Sequence, residues 1–286
     1  MELKKPRRLF TFGCSFTDYK WVTWANILGY ELGCEFYNFA RSGAGNNYIT
    51  NTLAQADSYF NFCSDDLIVV CWTNISREDR WITNQGWLTP GNIYTQNEYD
   101  SAFVKKWANE THFGLRDFSN IHLVKNLLEN KEVPYKFISM CDLNQQSQWE
   151  VIQERQHDDP VCKISRLYQE TLEEVSCNFY DVLWNNDIFV KFQKDRKIIH
   201  QYHCDGHPTP EEHLELLQHA FEYQFTDTTL NTVKDLQTNW VEYLQKCYSK
   251  TRKDTPIHEL PDTVEKTLRK EYKLRVSDKV SDTIFH

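Results

Sequence analysis

No stretch of this chain is apolar for long enough to cross a bilayer. Its strongest run, Leu67 to Trp72, falls far short of the roughly 20 residues a spanning helix needs. Basic residues lead up to Arg8, but the apolar stretch behind them breaks at Gly13, so this segment reads as a strand and not as a signal peptide. A block of basic charge is also missing. With 32 Lys and Arg against 41 Asp and Glu the formal charge is −9, which argues against a general nucleic-acid binder. The nine cysteines contain no Cys-x-x-Cys pair. An odd number without paired spacing reads as free or buried thiols in a reducing compartment, hence a cytoplasmic protein, rather than a disulfide framework. Internal repeats and low-complexity segments are absent too. What remains is ample core material: 40% hydrophobic and 14% aromatic residues in 286, enough for one large α/β domain with an appendage.

Strand-like and helix-like stretches alternate along the first two hundred or so residues. Short apolar runs at Leu9–Phe12, Glu35–Phe39, Leu67–Trp72, Val133–Met140 and Asn178–Leu183 read as strands. Helical spacing covers Trp21–Leu28, Tyr48–Phe60, Ile121–Leu128, Ile164–Val175 and Glu211–Phe225, the last opened by Thr209 as cap and Pro210 in the first turn. Buried strands alternating with helices predict a three-layer α/β/α domain with a mostly parallel, flavodoxin-like sheet over residues 1–225. Ser76 to Phe113, polar and rich in Trp, Tyr and Asn, is too long for an ordinary connection and reads as a lid or insertion. Residues 226–286 read as a C-terminal helical appendage: one helix over Thr226–Tyr248, then Val264, Leu268 and Tyr272 at helical spacing, a surface suited to self-association.

Four short blocks sit at the ends of these elements. Gly13-Cys14-Ser15 follows the first strand, and Asn38-Phe39-Ala40-Arg41-Ser42-Gly43 follows the second. Trp72-Thr73-Asn74 ends the third, and Asp205-Gly206-His207-Pro208 opens the last helix. In this order the set resembles the SGNH (GDSL) hydrolases, esterases and acetylhydrolases of α/β/α fold, over about Leu9 to Phe225. The resemblance implies Ser15 as nucleophile, His207 as general base and Asp205 as the group orienting His207. It also implies an oxyanion hole of the Ser15 N–H, the Gly43 N–H and the Asn74 amide. Such chemistry needs an imidazole to take the serine proton, a carboxylate to fix the imidazole tautomer, and preplaced donors for the tetrahedral oxyanion. The chain departs from the family pattern at Cys14, at Trp72, at Ile75 after Asn74, and in the shortened Asp205-x-His207 spacing. A Ser15–His207 dyad therefore stands beside the triad.

Several of these residues have competing roles. Cys14 is adjacent to Ser15 and points to the opposite face of an extended chain, so it packs under the turn. Gly45 rivals Gly43 for the second oxyanion donor. His200, His203, Cys204, Asp205, His207 and His213 cluster in sequence, but their spacings match no familiar zinc pattern, so neither metal nor cofactor is expected. Trp72, Arg77 and Trp81 are the substrate-binding candidates, with Arg80, Trp87 and Tyr94 in the same group. Aromatic faces beside arginines suit a small polar or glycan ester. Hydrolysis of a small acyl ester, such as acetyl, is the leading expectation. An acyltransferase with the same site and a non-catalytic SGNH-like assembly module are the rivals.

Overall fold

Five strands pair in parallel in the order β2-β1-β3-β6-β7. They are β1 (Arg8–Phe12), β2 (Glu35–Asn38), β3 (Asp66–Trp72), β6 (Tyr135–Ser139) and β7 (Val175–Asn178). The structure is a computed structural model that describes residues 5–19, 21–94, 98–143, 160–185 and 207–250. β3 lies at the centre, every residue of it buried, as expected for a strand covered on both faces. Arg8 and Asp66 fix the register of its pairing with β1 through two short contacts, Nε–Oδ1 at 2.7 Å and Nη2–Oδ2 at 2.6 Å.

Helices cover both faces. One layer holds α2 (Asn46–Phe60), α4 (Glu110–Asn130), α5 (Pro160–Leu167) and the short α6 (Gln169–Leu172); the other holds α1 (Trp24–Leu32), α7 (Phe179–Asn185), α8 (Pro210–Phe221) and α9 (Asp227–Lys250). This is the expected three-layer α/β/α architecture. α8 starts as its sequence dictates: the Thr209 hydroxyl accepts from Glu212 N–H, and the Glu212 carboxylate takes Thr209 N–H at 2.7 Å. α9 buries Val233 and Leu236 against α1 and α8, and the Thr226 hydroxyl ahead of it donates to Glu31 at 2.9 Å. Residues beyond Lys250, including Val264, Leu268 and Tyr272, lie outside the described part. No helix among the described residues is long and apolar enough to cross a membrane.

Several boundaries differ from the sequence reading. Val175 opens β7 instead of ending a helix, and the expected strand at 178–183 is the helix α7. The reason is a cap: Asn178 Oδ1 accepts from Asp181 N–H at 2.9 Å, which turns the chain into a helix. α4 begins at Glu110 rather than Ile121, because the Asn109 side chain caps His112 N–H at 3.0 Å. α8 stops at Phe221, where Glu222 turns left-handed at φ +45°.

Candidate active site

In an open parallel sheet, ligands bind beyond the carboxyl ends of the strands where the strand order reverses. Here that point lies between β1 and β3, and the turn carrying Ser15 rises from it. The turn is tight. Thr17 N–H and Asp18 N–H both donate to Cys14 O, at 2.9 and 3.1 Å. A Cβ on Gly13 would come within 2.1 Å of Thr17 Oγ1, so only glycine leaves this turn room to close. Cys14 is buried beneath it, and Ser15 is 5% exposed.

His207 Nε2 lies 2.7 Å from Ser15 Oγ. The chain returns 192 residues later to make this contact, and several aromatic residues hold it. The imidazole stacks flat on Tyr19, with centroids 3.8 Å apart and planes at 10°. Phe16 meets it edge-on at 5.3 Å. Trp21 Nε1 donates to Pro208 O at 2.7 Å, fixing the backbone next to the histidine. The residues just after the serine therefore build the seat of the histidine. Tyr19 and Trp21 were not among the sequence candidates, although an aromatic pair so soon after Gly-x-Ser was the available signal.

Asp205 lies outside the described residues, as do His200, His203 and Cys204. Among the described residues no group of three His, Cys, Asp or Glu side chains is placed to hold a metal ion. His213 is wholly buried on α8, with neither ring nitrogen hydrogen-bonded. Burial, with His207 nearby, pushes its pKa well below that of a free imidazole.

The loops bearing Gly43 and Asn74 stand on the same edge. Arg41 N–H donates to Gly13 O at 3.1 Å, tying the loop after β2 to the serine turn. Gly43 has φ +76°, and a Cβ there would meet Thr89 O at 2.0 Å. Its rival Gly45 gives its N–H to the Asp79 carboxylate at 2.9 and 3.0 Å, so that N–H is already engaged. Asn74 Oδ1 accepts from Ser76 N–H at 2.7 Å, which leaves its amide N–H groups as the part able to face a ligand.

The substrate-binding candidates separate. Trp72 is fully buried and packs edge-on against Phe137 at 5.5 Å, so it is a core residue and the expectation that it touches a ligand is corrected. Trp81 is 51% exposed on β4 (Arg80–Ile82), beside Trp87 of the antiparallel β5 (Gly86–Leu88). Arg77 lies partly exposed between loops, its Nη1 donating to Ala44 O at 2.8 Å. The insertion reaches the carboxyl edge through the Thr89–Gly43 contact and through Thr89 Oγ1, which donates to Ser42 O at 3.0 Å. It also contains the helix α3 (Ser101–Trp107) and ends at Asn109, where α4 is capped.

A buried polar network backs this edge, and sequence reading did not find it. Asn46 Oδ1 accepts from Thr73 N–H at 2.8 Å, while its Nδ2 donates to Thr73 O and to Asp117, both at 2.9 Å. Asp117 is held in turn by Arg116 Nε at 2.6 Å. The network anchors the segment leading into Asn74. Asp79 caps α2 through Tyr48 N–H at 2.9 Å, and burial pushes its pKa up to about 6. A scan against protein-family models and a search of the curated proteins both find no match to this chain.

Proposed function

We propose that this protein is a serine esterase or deacylase of the SGNH type, acting on a small acyl ester through an acyl-Ser15 intermediate. The observation that carries the reading is the 2.7 Å contact between Ser15 Oγ and His207 Nε2, inside the reach required of a general base. Ser15 Oγ attacks the ester carbonyl carbon while His207 Nε2 takes the hydroxyl proton. The oxyanion that forms is met by donors from the Ser15 turn, the Gly43 loop and the Asn74 amide. Collapse breaks the bond to the leaving alcohol, which receives the proton from His207. Water then attacks the acyl-serine, with His207 again as base, and the acid departs as Ser15 regains its proton. None of the seven cysteines whose side chains are described forms a disulfide, in keeping with a reducing compartment such as the cytoplasm.

The test is active-site labelling with a fluorophosphonate. The intact protein should label at Ser15, and Ser15→Ala should neither label nor hydrolyse p-nitrophenyl acetate while melting at nearly the same temperature. Absence of label on the folded wild type would sink the reading. Asp205→Asn then separates triad from dyad: a steep fall in rate assigns Asp205 to orienting His207, and an unchanged rate leaves the dyad.

A further inference from the structure

Among the described arginines with a buried or half-buried guanidinium, Arg77 differs in its company. Arg8 is paired with Asp66, and Arg116 with Glu78 and Asp117. Arg80, half-exposed, also has Glu78. No carboxylate among the described residues lies within ion-pair distance of Arg77. Its two hydrogen bonds go to neutral acceptors, Nη1 to Ala44 O at 2.8 Å and Nη2 to Met140 Sδ at 3.2 Å. A thioether accepts weakly, so among the described residues the guanidinium charge meets neither a carboxylate nor a strong third acceptor. Asp79, two residues on, has both oxygens taken by backbone N–H groups of Gly45 and Tyr48.

The position of this cation matters as much as its freedom. Ala44 belongs to the loop that carries Gly43, and Met140 follows β6, with its N–H donating to Trp72 O at 2.8 Å. The guanidinium thus links the loop after β2 to the end of β6, two strands that lie on either side of the central β1–β3 pair, at whose carboxyl edge the Ser15 turn stands. The two bonds hold the fork in one orientation, which lowers the ordering cost of meeting a planar anion. In a chain with formal charge −9, a held arginine with no described carboxylate partner at this edge suits negative charge.

We propose that Arg77 is a specificity-determining residue for a substrate carboxylate, so that the ester acted on is itself an anion. This rests on the hydrolase reading for the identity of the ester, though not for the anion site. One guanidinium on an acidic chain matches a single negative charge, and its fork matches the two oxygens of a carboxylate.

Three chromogenic esters test it: neutral 4-nitrophenyl acetate, 5-acetoxy-2-nitrobenzoate with a carboxylate on the leaving group, and 4-nitrophenyl hydrogen succinate with one on the acyl group. For at least one anionic ester, kcat/KM relative to the neutral ester should fall at least about tenfold in Arg77→Gln, with Arg77→Lys between. In wild type the same ratio should fall as ionic strength rises from about 0.01 to 1 M, which needs no variant to fold. Ratios unchanged by substitution and by salt for both anionic esters would overturn the proposal. Should wild type hydrolyse none of the three, the hydrolase reading fails by itself. The anion site is then decided by calorimetric titration with 5-hydroxy-2-nitrobenzoate: binding to wild type that is lost in Arg77→Gln upholds it, and no binding, or equal binding by both, overturns it.

Discussion

Asp117 and His213 are both wholly buried, and both lie on helices that pack behind the carboxyl edge, but in opposite layers. Asp117 on α4 has partners for both oxygens, Arg116 on one and Asn46 on the other. His213 on α8 has no hydrogen-bond partner among the described residues and meets the ring of Phe179 edge-on at 5.3 Å. Burial raises the pKa of the first and lowers that of the second, as desolvation does to an acid and a base. Partnership, not burial, therefore decides what each contributes. Asp117 is a member of a network that fixes the ends of β3 and α2. His213 is a polar group that the folded state keeps neutral without compensation, beside the histidine that meets Ser15.

Breaking the comparison at its strong end should give the largest effect. Asp117→Ala takes one buried acceptor from Asn46 and one from Arg116, which keeps Glu78, and we expect a loss of about 3 kcal/mol in denaturant-induced unfolding; a loss below about 1 kcal/mol would mean the network is ornamental to stability. Between the two extremes lies the Gly43 loop. Gly43→Ala combines a left-handed backbone with a Cβ 2.0 Å from Thr89 O, so a cost of about 1–3 kcal/mol is expected. The rate on p-nitrophenyl acetate should fall with it, since the contact displaced is the one between insertion and donor loop. An unaltered rate would remove Gly43 from the oxyanion hole.

His213→Leu should have the smallest effect at pH 7 and the most informative one below it. An unfolded imidazole takes up a proton near pH 6.5, whereas burial holds the folded ring neutral to well below that. The unfolded chain then binds more protons, so the contribution of His213 to stability is lost as pH falls below about 6.5, by about 1.4 kcal/mol per pH unit. Replacing it with leucine should flatten that slope in unfolding curves taken from pH 7 to pH 5. A variant with the same slope as wild type would show that the ring is protonated in the fold.

The central strands were legible because their apolar runs are short, continuous and bounded by turns; β1 and β3 agree with expectation to one residue at each end. Ser15 and His207 were legible because a Gly-x-Ser after a strand and a His-Pro before a capped helix each have a mechanical meaning. Polar caps were less visible. Asn178 and Asn109 start helices within stretches whose hydrophobic pattern suits strand or loop equally well, and only the three-dimensional hydrogen bond decides. The Asn46–Asp117 contact spans 71 residues, and no local pattern announces such a pairing. Trp72 illustrates the opposite error: a large aromatic at a strand end invites a binding role, yet its direction on the pleat sends it into the core.

The contact between Ser15 and His207 also sets a timetable. Tyr19 and Trp21 leave the ribosome early, but the ring they hold comes 192 residues after the serine, and α9, which packs on α1 and α8, follows later still. At roughly 5–20 residues per second, a growing chain passes about 10–40 s with the serine made and its partner histidine not yet synthesised. Throughout that interval the hydroxyl lacks the imidazole that meets it in the finished fold. On the proposed hydrolase reading, reactivity toward acyl groups is thus coupled to completion of the fold, and truncated chains ending before His207 are expected to be inert.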